Sequence, residues 1–168
     1  MAPRLVAVRG DITEETVDAI VNAANRELRR GGGVCGAIFA AAGPELDDAC
    51  AAIGHCDTGD AVATPGFSLA ARCIVHAVGP VWQGGDLGEP DQLASAYRRA
   101  LEVAADVGAT SIAFPAISTG IYGYPLDAAT GVAVRTVAAT DTPIELVRFV
   151  CFDTATLDAY ETELRAGG

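Results

Sequence analysis

Two stretches of the chain carry residues whose types and spacing suit chemistry. The first runs from Asn22 to Gly36, NAANRELRRGGGVCG. Asn22 and Asn25 bracket two alanines, three glycines follow, and Val34, Cys35 and Gly36 lead into an apolar segment. Glycine N–H groups at a helix start suit a phosphate, because no side chain obstructs them and the helix dipole favours negative charge. Asn25 cannot titrate, but its amide offers an acceptor and donors to a sugar hydroxyl. Asn22 stands nearer a strand and reads as a structural tie for the loop. Cys35 has two readings: a thiol activated by a helix N-terminus, or a small inert side chain, with no base in the sequence to partner it. The second stretch, Ser118-Thr119-Gly120-Ile121-Tyr122-Gly123-Tyr124, again offers glycines, hydroxyls and N–H groups after a strand. Two such loops at one sheet edge would clamp a diphosphate from both sides. The alternatives are a merely flexible turn for the glycines and packing over the sheet edge for Tyr122 and Tyr124.

Gly31, Gly33 and Gly36 formally fit G-x-G-x-x-G, yet NRELRR separates them from the preceding strand. No acidic residue ends a second strand about 20 residues on, and no GK[ST] follows. Neither the dinucleotide fingerprint nor the P-loop fits. Asp11, after a strand, can accept from an exocyclic amine or cap the next turn. His76 falls within an apolar strand and reads as a satisfied core histidine. Arg98 and Arg99 read as the solvated face of a helix.

Elements alternate along the whole chain, so these residues have a scaffold. Leu5–Val8, Asp18–Ala23, Asp60–Thr64, Arg72–Val78, Ser111–Phe114 and Glu145–Cys151 read as strands. Arg72–Val78 is apolar on both faces, as a covered central strand is. Gly33–Ala42, Pro44–Ile53, Pro90–Val107 and Leu126–Ala139 read as helices, and Asp153 or Thr154 caps a last one to about Arg165. The pattern predicts an α/β sandwich with a mostly parallel sheet and helices on both faces. Ligands in such folds bind beyond the carboxyl ends of the strands. Those ends feed Gly10–Thr13, Ala23–Val34, Gly79–Gly85, Pro115–Pro125 and the segment after Phe152.

At 168 residues, half of them hydrophobic, the chain is expected to form one domain, 1–168. A net charge of −11 disfavours nucleic acid but not a small anion held by backbone amides. The opening MAPRLVAVRGD reads directly into a strand rather than a signal peptide, and no apolar run matches a membrane span, so a cytoplasmic home is expected. Cys35, Cys50, Cys56, Cys73 and Cys151 are scattered, without a CxxC pair, and read as small buried thiols. Cys50, His55 and Cys56 make at most a fragment of a metal site. The reading requires no metal and no cofactor.

GDITEETVDAIVNAAN, GGGVCGAI, IVHAVGPVW and AFPAISTGIYGYP, in this order, resemble a macrodomain of the MacroD-type branch. The similarity runs from Asp11 to the final helix. It implies a three-layer α/β/α sandwich with a central mixed, mostly parallel sheet and an ADP-ribose cleft. By that resemblance Asp11 binds the adenine amine, supported by the Ile12 backbone, and Phe152 stacks on adenine. Asn25 binds the distal ribose. Gly32, Gly33 and Val34 line the distal ribose and diphosphate, and Ser118, Thr119, Gly120, Ile121 and Tyr122 wrap the diphosphate. The branch pattern is GGGVDGAIH, with an aspartate proposed to activate water. Here Cys35 stands in its place, Phe39 replaces the histidine, and Arg30 precedes the glycines where glycine is usual.

The expected activity is release of mono-ADP-ribose from acidic side chains of modified proteins, with Asn25, Gly33 and the Cys35 position as the catalytic set. The expected partners are ADP-ribose and mono-ADP-ribosylated proteins. Two alternatives share the cleft: a module that only reads ADP-ribose, which Cys35 favours, and an O-acetyl-ADP-ribose deacetylase.

Overall fold

The computed structural model describes residues 2–167; Met1 and Gly168, the ends of the expected domain, lie outside the described residues. Six strands form one sheet: β1 (Arg4–Arg9), β2 (Ala19–Ala23), β3 (Ala61–Pro65), β4 (Cys73–Ala77), β5 (Ser111–Phe114) and β6 (Leu146–Cys151). Their spatial order is β1-β6-β5-β2-β4-β3. All pairings are parallel except β3 with β4, so the sheet is mixed but mostly parallel. Five helices complete the fold: α1 (Gly33–Ala42), α2 (Pro44–Ile53), α3 (Glu89–Asp106), α4 (Leu126–Ala139) and α5 (Thr154–Gly167).

The alternation of side chains along each strand feeds two separate cores. Ile20, Ile74, Ala113 and Val150 pack with Ile38, Phe39 and Leu46 of α1 and α2. Val21, Val75, Ile112, Phe114 and Phe149 pack with Leu93, Tyr97, Val134 and Tyr160 of α3, α4 and α5. The three layers follow from this: two helices, the sheet, three helices. Gly43, with φ +97°, ends α1, and Pro44 opens α2 at once, so one left-handed residue makes the corner between them. The turn Ile12–Glu14 is a short 3₁₀ helix that the sequence pattern did not announce; Asp11 caps it.

β4 is buried throughout, as its two-sided apolar pattern requires. His76 within it is fully buried and satisfied: the Asn22 amide meets Nδ1 at 3.1 Å and Thr64 Oγ1 meets Nε2 at 2.9 Å. Cys50 Sγ lies 3.9 Å from the same Nε2, whereas the exposed His55 pairs with Asp57, so the Cys50, His55 and Cys56 grouping does not converge. Arg99 departs from the solvated reading: it bonds Asp60 at 3.0 Å as well as Glu102, tying α3 to the start of β3.

Burial pushes the His76 imidazole down to about 4. An unfolded chain takes up this proton near pH 6.5, the folded chain only near 4. Between those values the unfolded state binds more protons, so stability falls as pH drops through that window. The expected loss from this group is about 3 kcal/mol. Denaturant titrations from pH 7 to pH 4 measure it; a flat profile contradicts the burial argument.

Candidate functional site

The carboxyl ends of the parallel strands open into one cleft of about 880 Å³, within the range of small-molecule sites. Its walls come from the Gly10–Ile12 turn, Ala23–Asn25, Gly31–Cys35, Pro115–Tyr122, Phe152, Asp153, Ala155 and Thr156. Every candidate ligand residue of the sequence reading lines it: Asp11, Ile12, Asn25, Gly32, Gly33, Val34, Ser118, Thr119, Gly120, Ile121, Tyr122 and Phe152, together with Cys35. Of the Gly79–Gly85 loop only Gly79 reaches the cleft.

One wall is the start of α1. Its N-cap is Gly32, which supplies no side-chain cap, so the first-turn N–H groups are left for an outside acceptor. Gly36 makes the preceding loop close in: a Cβ there would fall 2.5 Å from the Gly31 carbonyl oxygen. Arg30 and Phe39, the two departures flanking this wall, form one unit. The Arg30 guanidinium bonds Asp47 of α2 through Nε and Nη2, both at 2.9 Å, and lies 5.7 Å from the Phe39 ring centroid. They brace the glycine loop from outside.

Asn25 is anchored rather than loose. Its Nδ2 donates to the Arg29 carbonyl at 2.8 Å and its Oδ1 accepts from the Arg29 N–H at 3.0 Å. That leaves one amide hydrogen and one lone pair for a ligand hydroxyl. Asn22 is buried and ties β2 to its neighbours, donating towards His76 and, at 3.7 Å, to Cys35 Sγ. Cys35 itself is buried at the cleft floor, its thiol 3.5 Å from the Arg29 carbonyl. Burial pushes this thiol up, opposite to the lowering that activates a nucleophilic cysteine.

The opposite wall is the loop after β5. Its hydroxyls serve the frame, not the cleft: Ser118 Oγ donates to Pro80 O and Thr119 Oγ1 to Ala116 O, both at 2.8 Å. What remains for an anion is backbone. The N–H groups of Gly120, Ile121 and Tyr122 have no acceptor among the described residues. Ser118 adopts φ +69°, unusual for a residue with a side chain, which its buried hydroxyl bond offsets. Tyr124 packs under the loop against Trp82, ring centroids 4.6 Å apart, as the packing alternative required, while Tyr122 faces the cleft.

At one end, Asp11 Oδ1 accepts both the N–H and the hydroxyl of Thr13, at 2.9 and 2.6 Å. These bonds lower its carboxyl below the usual range, and Oδ2 keeps no partner among the described residues. The capping reading of Asp11 therefore holds, with one oxygen to spare. Phe152 is 83% exposed beside it, and Ile121 is 84% exposed over the middle of the cleft. Both side chains project largely into solvent. A Cβ on Gly32 would come 3.1 Å from Ile121 Cδ1, so the two loops meet above the cleft there.

Sequence reading passed over the groups that hold the loop after β5 from behind. Tyr97 and Tyr160 are buried and paired at 3.2 Å, and the Tyr97 hydroxyl accepts from the Ile117 N–H at 3.3 Å. Glu89 fixes the segment carrying Trp82. An acidic residue after the glycine-rich GPVWQGGDLG was the available signal.

Comparison with known proteins agrees with this architecture. The profile of the Macro domain family matches residues 21–133. A Macro domain-containing protein of Chlorobaculum tepidum is 52% identical, over 96% of this chain and 95% of that protein. The O-acetyl-ADP-ribose deacetylase of Salmonella typhimurium is 51% identical, over all of this chain and 98% of that protein. The Oceanobacillus iheyensis macrodomain with ADP superposes with a TM-score of 0.92 at 41% identity, covering 96% of this chain and 90% of that one. The mixed six-stranded sheet between two helical layers, the cleft at its carboxyl edge and these likenesses agree: the chain belongs to the Macro domain family.

Proposed function

We propose that this chain acts as a single module that hydrolyses acyl esters of ADP-ribose, releasing mono-ADP-ribose from acidic side chains of modified cytoplasmic proteins and deacetylating O-acetyl-ADP-ribose. The observation that carries this reading is a pair of loops with unused backbone N–H groups, Gly33–Cys35 on one side and Gly120–Tyr122 on the other, which approach each other at Gly32 and Ile121 in the cleft that Asp11 and Asn25 also line. A carboxylate, two amide-lined loops and a neutral amide in one cleft suit adenine, diphosphate and distal ribose. The name borne by the Salmonella relative supports an ester of ADP-ribose as substrate. Among the described residues no helix is long and apolar enough to cross a membrane.

In this reading Asp11 Oδ2 accepts the adenine amine and Phe152 covers the base. Amides on both loops and the α1 dipole hold the diphosphate. Asn25 turns the distal ribose so that its ester faces Cys35. With no carboxylate there, a diphosphate oxygen of the substrate orients the attacking water, and the loops supply the geometry. Attack of water at the ester carbonyl breaks the acyl C–O bond and serves both the side-chain ester and the acetyl ester; attack at the anomeric carbon breaks the ribose C–O bond, expels the side-chain carboxylate and serves only the former. Because the thiol is buried and stays protonated, Cys35→Ala is expected to keep the release rate within about threefold of wild type, since only groups acting in the transition state change it strongly. Activity retained at that level eliminates Cys35 as a nucleophile, and a loss of several orders of magnitude contradicts the inert reading.

A second reading, a module that binds ADP-ribose without chemistry, is favoured by the missing carboxylate alone. Calorimetry with ADP-ribose, followed by turnover of O-acetyl-ADP-ribose, separates the two: binding with turnover supports hydrolysis, and binding without turnover supports the reader.

A further inference from the structure

The segment from Gly79 to Gly88 has no regular structure, yet it closes on one carboxylate. Glu89, the first residue of α3, is 2% exposed. Its Oε2 accepts the N–H groups of Gln83 and Gly85 at 2.8 and 3.0 Å, and its Oε1 accepts that of Leu87 at 2.7 Å. The segment is folded back tightly: a Cβ on Gly85 would fall 2.7 Å from the Trp82 ring. Trp82 in turn holds the loop after β5. Its N–H donates to the Tyr122 carbonyl at 2.8 Å, and its ring packs on Tyr124. Beside it Pro80 O receives the Ser118 hydroxyl. Neither Glu89 nor Trp82 lines the cleft.

We infer that Glu89 is a positioning residue for the diphosphate loop: through the Gln83–Leu87 backbone and Trp82 it fixes where the Gly120–Tyr122 amides point. This rests on the proposed reading of that loop as a diphosphate clamp. The carboxylate is suited to the task. Burial by itself would raise its pKa, but the surrounding amides of Gln83, Glu89 itself, Gly85 and Leu87 outweigh it and hold the group at about 2. A permanent anion with three short bonds organises a loop that otherwise has few apolar contacts of its own, Val81 and Leu87 being exposed. Trp82 then transmits that order through one backbone bond and one ring contact.

The substitution Glu89→Gln keeps the size but turns one accepting oxygen into an NH₂ group, so at least one of the three N–H groups loses its partner. Two readouts are expected to move together. Hydrogen exchange of the ligand-free protein speeds up over residues 118–124 but not over the glycine loop 31–36. In calorimetry the Kd for ADP-ribose rises at least tenfold, while the Kd for adenosine, which has no diphosphate, stays within twofold. Unchanged exchange at 118–124, or equal loss for both ligands, overturns the inference. If Glu89→Gln does not fold, Trp82→Leu must give the same loop-selective exchange and ligand-selective loss; wild-type behaviour there overturns it equally. A wild-type protein that does not bind ADP-ribose sinks the functional reading, and the exchange measurement still decides the brace.

Discussion

Replacing Asn25 by alanine is expected to slow release of ADP-ribose from ester-linked protein by about a hundredfold or more, the scale of loss that follows from misplacing a reacting group by an ångström. Two effects combine. The variant removes the amide hydrogen and lone pair that the proposed reading gives to the distal ribose. It also removes both bonds to the Arg29 backbone, each contributing about 0.5–1.5 kcal/mol net, so the turn leading to the glycines slackens. Cys35 Sγ leans on the same Arg29 carbonyl, which couples this slackening to the floor of the cleft. The affinity for free ADP-ribose should fall less, because the loop amides and the Asp11 end, to which the proposed reading assigns diphosphate and adenine, are untouched. Single-turnover rates measured beside calorimetry separate the two. Release at the wild-type rate by Asn25→Ala would contradict the role given to this residue.

Gly79→Ala is expected to damage the opposite wall. A Cβ there would fall 2.2 Å from Ser118 Oγ and 2.5 Å from Ile117 Cγ2. Neither neighbour can give way cheaply. Ile117 is buried under the Tyr97 hydroxyl, and Ser118 holds a left-handed backbone secured by its bond to Pro80. Overpacking of this kind costs about 1–3 kcal/mol, which for a chain of this size lowers Tm by roughly 2–12 °C. ADP-ribose binding should weaken more than tenfold, because the displaced residues lead directly into the Gly120–Tyr122 amides. Gly120→Ala is the stability control, since a Cβ there meets nothing within 4 Å. A Gly79→Ala protein with wild-type melting and binding would show that the wall adapts freely.

The parts of the fold legible in the sequence are those set by local chemistry. The corner at Gly43–Pro44 fixed the bounds of α1 and α2, and the two-sided apolar run around His76 marked an interior strand. The cleft was legible because glycines and unusual polar residues cluster after the strands that share one edge. What stayed hidden depends on partners distant along the chain. Nothing near Ser118 announces that Pro80 takes its hydroxyl hydrogen, so a residue that lines the cleft as expected also supports the frame. Arg99 looked like a solvated helix residue until Asp60 came within 3.0 Å. Arg30 and Phe39, read separately as departures from the branch pattern, turn out to be packed on each other. Asn25 reads from sequence as a partner for a sugar hydroxyl, but not as the closure of its own turn, because its partner there is backbone and carries no sequence signature.

The proposed hydrolysis requires a cleft with Cys35 at the position of the expected carboxylate to act on an ADP-ribosyl ester. The purified chain is incubated in parallel with proteins mono-ADP-ribosylated on Glu/Asp, on Ser and on Arg, and free ADP-ribose is quantified over time. The expected result is catalytic release from the Glu/Asp-linked substrate and none above background from the Arg-linked one. Tight binding of all three with no release from any would contradict the hydrolase and leave a binding module.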